Sequence, residues 1–306
     1  SMASIHSLPN ELLLAVFHYL VQDALCDGPT FALTRYTKMP LRVDTSQLIA
    51  ITHVCHRWRS VATTYPRFWT RVDGHHATQI VEFRARSLSL PLSLYLDSRE
   101  PATVSLPALG HRQFQLNLYT LLLVWRKTVR RLDMVERVYP ASPDPPDWLV
   151  SLSMPTLQVL NLAVVVDEEP DDLHLRRIVL LGDPVSSLKA LAVSGITAWT
   201  PANHFPSLTH LYLSFDYVSG ITSSDILSVL ANTPCLEYLH FRWLQYFPDL
   251  HGIVGLTILP PPVRLPRLRS LLLTDCADDF IRLFKLLELP SHVPIRLHNS
   301  QICSVD

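Results

Sequence analysis

The sequence predicts an α/β chain in which a small helical unit is followed by a curved parallel sheet of stacked strand units. Three observations carry this reading. Two strongly apolar helical stretches lie near the start, and the second ends in an aromatic plug. From residue 129 an apolar frame, L-x-x-L-x-L, recurs six times, and five of the six frames have a proline just ahead of them.

The first helix is LPNELLLAVFHYLV, Leu8 to Val21. Pro9 suits a first turn, where its missing N–H costs nothing, and Glu11 lies near the positive end of the helix dipole. Leu12, Leu13, Val16, Phe17, Tyr19 and Leu20, widened by Leu14 and Val21, cover an arc of roughly 220°, about twice what a one-sided surface helix needs. The excess calls for two surfaces: one in this chain, and one on a separate subunit, because a small helical unit has too little chain to cover both. The second stretch is Leu48 to Trp69. Leu48, Ile51, Val54, Cys55, Trp58, Val61 and Ala62 share one arc of a single predicted helix, Pro66 stops it, and Phe68 and Trp69 follow as the plug.

Leu8-Pro9, Glu11-Leu12, Phe17, Leu20, Val54-Cys55, Trp58-Arg59 and Trp69 together resemble the F-box, a three-helix module that binds the Skp adaptor of cullin-type ubiquitin ligases. The segment 21–45 lengthens the link between the first two helices, and this insertion resembles those of F-box proteins from mushroom-forming (basidiomycete) fungi. The resemblance implies an F-box domain at 1–70 and adaptor binding by Leu8, Pro9, Leu12, Leu13, Val16, Phe17, Leu20 and Trp69. It implies no catalytic residue, cofactor or metal. The expected function is that of a substrate-recognition subunit of a Skp–cullin–F-box ligase, joined through the adaptor to a cullin. The alternative is a scaffold that binds the adaptor without any cullin, and co-purification with adaptor but never with cullin would favour it.

Whole-chain properties narrow the remaining classes. With 306 residues, 48% of them hydrophobic, a sizeable core is expected. A formal net charge of -1 gives no long-range attraction to nucleic acid or anionic lipid, so neither is an expected partner. No apolar run approaches the ~20 residues that span a bilayer. Cys26, Cys55, Cys235, Cys276 and Cys303 are scattered and set among apolar residues, as reduced core thiols are. A soluble protein of cytoplasm or nucleus is expected.

Residues 71–127 read as a connector, again similar to that of the fungal proteins. Ile80 to Arg86 suggests a helix, and Leu92, Leu94 and Leu96 alternate with Ser93 and Tyr95 as in a half-buried strand. Residues 113–127, with Phe114, Leu118, Leu121, Leu122 and Trp125, read as a buried helix with strand left open.

Residues 128–306 are the repeat region. The frames are Val129, Leu132, Met134; Leu157, Leu160, Leu162; Leu188, Leu191, Val193; Leu208, Leu211, Leu213; Leu236, Leu239, Phe241; and Leu268, Leu271, Leu273. Their steps of 28, 31, 20, 28 and 32 lie mostly near the period of a strand-plus-helix leucine-rich repeat. Pro155, Pro184, Pro206, Pro234 and Pro266 stand two or four residues ahead of the first leucine, where the chain bends into a strand. Leu175, Ile178 and Leu180 suggest a further strand. Thr222-Ser-Ser-Asp225 reads as a capping box opening a helix, and Asp278 to Glu288 carries Phe280, Leu283, Phe284 and Leu287 at helical spacing. The Asn that usually follows such strands is missing, so the units are degenerate leucine-rich-like repeats. Each leaves an apolar face that only its neighbours can cover, and stacking yields a curved solenoid with a parallel sheet.

No G-x-S-x-G, P-loop, G-x-G-x-x-G, H-E-x-x-H or paired C-x-x-C occurs, so an enzyme is not expected; a hydrolase using scattered His and Cys is the remote rival. His53, Cys55, His56, His75 and His76 superficially resemble a metal set, but Cys55 falls on the apolar arc and His53 and His56 on the polar one. The acidic run Asp167-Glu168-Glu169, Asp171-Asp172 reads as a solvated loop or a docking patch, and Arg126, Lys127, Arg130 and Arg131 as a solvated edge. Binding is instead expected on the sheet face opposite the leucines. There Arg131 and Asp133, Val159 and Asn161, Ala190 and Ala192, His210 and Tyr212, Tyr238, His240 and Arg242, and Ser270 and Leu272 point together. Tyr212, Tyr238, His240 and Arg242 form an aromatic–basic cluster of the kind enriched at binding hot spots, and are the predicted contacts for a target protein.

Overall fold

A computed structural model describes residues 8–21, 44–74, 77–97, 119–138, 147–166, 176–182, 185–195, 199–215, 221–242, 261–276 and 283–298. Most of the expected insertion, His75, His76, the acidic run at 167–172, Pro184, Cys26, Cys303, Phe114, Leu118 and Phe280 lie outside these residues.

The chain opens with α1 (Asn10–Leu20), α2 (Ser46–Val54), α3 (His56–Thr63) and a 3-10 turn, Pro66–Trp69. Pro9 is the residue before α1 and not its first turn, and its carbonyl accepts the N–H of Leu13 at 3.1 Å. The single helix expected from Leu48 onward is two helices. Cys55 is fully extended, with φ -159° and ψ 170°, and its side chain caps α3, Sγ accepting from the Trp58 N–H at 3.5 Å. Most of the apolar spacing survives this break, which is why periodicity does not expose it: Leu48, Ile51, Val61 and Ala62 are buried and Cys55 and Trp58 half-buried, whereas Val54, expected on the same arc, is 57% exposed at the end of α2. Arg59 Nε donates to the Thr52 carbonyl at 2.8 Å and holds the two helices at the bend.

Phe17 is the hub of this part. Its ring lies 5.0 Å from Trp58 and 6.4 Å from Phe68, while His18 meets Tyr65 at 5.3 Å and Phe68 at 4.9 Å. Trp69 faces the other way, packing edge-on against Phe83 at 4.9 Å and donating from Nε1 to the Ala62 carbonyl at 2.9 Å. Phe83 belongs to α4 (Ala77–Ser87), so the plug joins the helices to the sheet, and one continuous hydrophobic core runs from Leu13 to Leu287.

Among the described residues the main sheet is nine-stranded and every pairing in it is parallel. It contains β1 (Arg71–Asp73), β2 (Leu92–Asp97), β3 (Val129–Val138), β4 (Val159–Val166), β6 (Ala190–Ser194), β8 (His210–Ser214), β9 (Tyr238–Arg242), β11 (Ser270–Thr274) and β13 (Ile295–His298), in that order across the sheet. Two small parallel pairs lie apart: β5 (Arg176–Ile178) with β7 (Trp199–Pro201), and β10 (Val263–Arg264) with β12 (Leu287–Glu288). The chain is thus a mixed α/β protein in which spatial order follows sequence order. All six expected frames supply strands. Leu287, expected at helical spacing, stands in β12, and the helical turn before it ends at Phe284.

The register explains why the frame repeats. Leu132, Leu160, Leu191, Leu211, Leu239 and Leu271 are successive partners, and so are Met134, Leu162, Val193, Leu213, Phe241 and Leu273. These two ladders, all buried, are the core side of the sheet. The prolines occupy the turns that feed the strands: Leu157, Leu208, Leu236 and Leu268 each donate their N–H to the residue three earlier, at 3.1, 3.4, 3.2 and 3.2 Å. Pro155, Pro206, Pro234 and Pro266 fill the second position of those turns, where a fixed φ near -65° is what the turn requires. After β8 the chain returns through the helix Ser223–Ala231, capped as expected: Thr222 Oγ1 accepts from the Asp225 N–H, and Asp225 Oδ2 from that of Thr222, both at 3.2 Å.

The opposite face differs from expectation. Ser93, Tyr95, Arg131, Asp133, Val159, Asn161, Ala190, Ala192 and Tyr212 are all buried, so at these positions the face opposite the leucines is covered. Arg131 is no solvated edge residue. Its Nε and Nη2 donate to the two carboxylate oxygens of Asp133 at 2.7 and 3.0 Å, and Asn161 Nδ2 donates to the same carboxylate. Two opposite charges taken out of water must be held this closely to offset their lost hydration.

Candidate functional site

Two surfaces remain for function. The first is the outer side of α1. Leu13 and Phe17, four residues apart, are 0% exposed and point into the helical core, whereas Leu12, Val16, Tyr19 and Leu20 are 52%, 40%, 78% and 44% exposed. Their spacing of four, seven and eight residues from Leu12 places them on one stripe of the helix. Ile49 on α2, 39% exposed, adds to the apolar surface of these helices. Four large apolar side chains in a row form a contiguous patch and not isolated surface residues, which makes this stripe a candidate interaction surface.

The expected adaptor-contact residues therefore divide. Leu12, Val16 and Leu20 face solvent, Pro9 is exposed and Leu8 half-buried. Leu13, Phe17 and Trp69, each at most 1% exposed, cannot touch a partner; they hold the stripe in position from beneath. Tyr19, the most exposed of the row, belongs to the expected apolar arc but is not one of the expected adaptor contacts. Arg57 fixes the start of α1, donating to Asn10 Oδ1 at 2.9 Å and to the Leu8 carbonyl.

The second surface is the far end of the sheet face opposite the leucines. The register sets His210 beside Tyr238, Tyr212 beside His240, and Ser214 beside Arg242. His210 stacks on Tyr238 with centroids 4.5 Å apart, and Tyr212 meets His240 edge-on at 4.7 Å. Arg242 Nε donates to Asp275 Oδ2 at 3.3 Å, and Asp275 presents that carboxylate from a left-handed turn with φ 55° just past β11. The structure thus brings all four predicted target-contact residues together, but Tyr212, 3% exposed, lies underneath, and only Tyr238, at 39%, is widely open. His210, not among the predicted four, is half-buried and completes the stack with Tyr238.

Burial sets the charge state here. It holds His240 well below the ordinary imidazole range, and the neighbouring Arg242 guanidinium pushes the same way, to about 4. His210 is also lowered by burial, although Glu237 opposes this. Both rings are therefore weighted toward the neutral form, and His240 Nε2 shares a 3.0 Å hydrogen bond with Thr274 Oγ1. The arrangement can stack and hydrogen-bond, with Arg242 already held by a carboxylate.

Among the described residues no three His, Cys, Asp or Glu side chains gather as metal ligands, and no helix is long and apolar enough to cross a membrane. Cys55, Cys235 and Cys276 are free thiols. Comparison of the sequence with models of protein families finds no match, and comparison with curated proteins finds none.

Proposed function

We propose that this chain is a substrate receptor of the F-box type, in which the outer stripe of α1 seats a Skp adaptor and the sheet carries the target. The observation that carries the proposal is the solvent-facing row Leu12, Val16, Tyr19, Leu20 on a helix whose other side is anchored by Leu13 and Phe17. Burying the exposed half of each of these side chains contributes about 1 kcal/mol apiece, enough in sum to matter against the cost of association. On this reading the repeat units act as a leucine-rich-like solenoid, and target capture falls to Tyr238, His210 and Arg242, over Tyr212 and His240.

Co-expression with a Skp adaptor tests the proposal. The parent chain is expected to co-purify with the adaptor, and Leu12→Asp with Val16→Asp to lose it while keeping the parent's circular dichroism, because both positions face solvent. Undiminished recovery of adaptor with the double variant refutes it.

A further inference from the structure

The two apolar ladders that organise the sheet are buried on every strand until the last. Leu271 pairs with Ile295 and Leu273 with Leu297. Leu271 and Leu273 are 0% and 4% exposed, but Ile295 and Leu297 are 45% and 50% exposed. β13 ends the strand order and has a neighbour on one side only, β11, among the described residues. Its main chain is also directional. The carbonyls of Pro294 and His298 accept from the N–H groups of Leu271 and Asp275, so by strand alternation the N–H and C=O groups of Ile295 and Leu297 point away from the sheet. On the face opposite the ladders stand Arg296, in register with Leu272 and His240, and His298, in register with Thr274 and Arg242. β13 contains no carboxylate.

We propose that β13 is a docking edge at which an extended segment of another protein adds as the next strand, with apolar side chains on one face and acidic side chains on the other. The apolar set continues the ladders over Ile295 and Leu297. The acidic set meets Arg296, and the outward main-chain groups of Ile295 and Leu297 supply the hydrogen bonds common to strand addition. A second copy of this chain is the poorer occupant. Antiparallel self-pairing that sets Ile295 opposite Leu297 on a shared apolar face brings Arg296 opposite Arg296, and like charges directly opposite destabilise a pair. The inference is independent of what α1 binds.

The test uses the full chain and two fluorescein-labelled pentapeptides, acetyl-Val-Glu-Val-Glu-Val-amide and its Lys counterpart, followed by fluorescence anisotropy. The Glu peptide is expected to bind roughly tenfold tighter than the Lys peptide, and Arg296→Glu to reverse that order. Leu297→Pro removes one outward N–H, leaves the bonds to β11 in place and is expected to abolish binding of both peptides, whereas Leu297→Val keeps it. Urea denaturation of each variant verifies that the fold persists. Equal binding of the two peptides, binding of neither, or a Leu297→Pro variant that binds as the parent overturns the proposal. So does a concentration-dependent dimer in sedimentation that Leu297→Pro disperses, which would assign the edge to a second copy.

Discussion

Leu12 and Leu13 are the same residue type, adjacent on one helix, and their truncation separates the two sides of α1. Leu13 is 0% exposed, so Leu13→Ala removes a fully packed side chain and leaves a cavity beside Phe17, a loss of about 2–5 kcal/mol. Leu12 is 52% exposed, and since full burial of a leucine is worth ~1.5–3 kcal/mol, Leu12→Ala forfeits about 1 kcal/mol or less. Helix propensity favours neither variant, because Ala and Leu both rank among the best helix formers. The difference, at least ~1–2 kcal/mol, amounts to roughly a tenfold change or more in the folding equilibrium. Urea denaturation followed by circular dichroism, with the midpoint and slope fitted for each variant, measures it directly. Equal losses, or a larger loss for Leu12→Ala, would mean that α1 is turned about its axis relative to the arrangement described, and the outward stripe would no longer exist to receive a partner.

Two further outcomes follow from buried charge. Asp133→Ala strands the Arg131 guanidinium, 4% exposed, without its bidentate carboxylate, and is expected to cost about 3–5 kcal/mol in urea denaturation, with part of the loss recovered by adding Arg131→Leu. A loss under about 1 kcal/mol for the single variant would show that water reaches the pair. His240, lowered to about 4, is held neutral in the folded chain, whereas the unfolded chain takes up the proton from about pH 6.5 downward. Its contribution is therefore present above that pH and lost as pH falls toward 4, roughly 2–3 kcal/mol of it by pH 4.5. His240→Gln should shrink the difference between urea midpoints at pH 7 and 4.5, and an unchanged difference would contradict the assignment.

The fold was legible where a single rule governs a residue. The six frames became six strands because a leucine at every second position has one place to go in a stacked parallel sheet, and the prolines marked the turns because they fix φ where the chain bends. Thr222 and Asp225 gave the cap of the returning helix for the same reason, a local hydrogen-bond pattern written in local sequence. What escaped were features in which local spacing is compatible with two structures. Cys55 breaks the helix while turning only Val54 out of the expected apolar arc, because Leu48 and Ile51 on one side of the break and Val61 and Ala62 on the other still pack into the same core. Leu287 has helical spacing from Leu283 and Phe284, yet pairs with Val263 in β12, a choice made by a partner more than twenty residues away.

The candidate site divides along the same line. Periodicity says which side of a strand is apolar, and it says nothing about whether the other side is covered. That is why Tyr212 reads from sequence as a surface residue although it is buried, and why Arg131 reads as an edge cation. A signal was available: Arg131 and Asp133 lie two apart on one strand, and Asn161 falls on the next strand in register with Asp133, so opposite charges and an amide share one face. Solvated faces have no need of that complementarity, but a buried one does, because each group must find its partner inside the protein. The same reasoning works in reverse at α1. Its apolar arc is wider than one packing surface can absorb, and the surplus appears in the structure as Leu12, Val16, Tyr19 and Leu20 left in water. An excess of hydrophobic side chains over available covering surface is thus a signal for the proposed docking stripe that does not depend on knowing which neighbours the fold supplies.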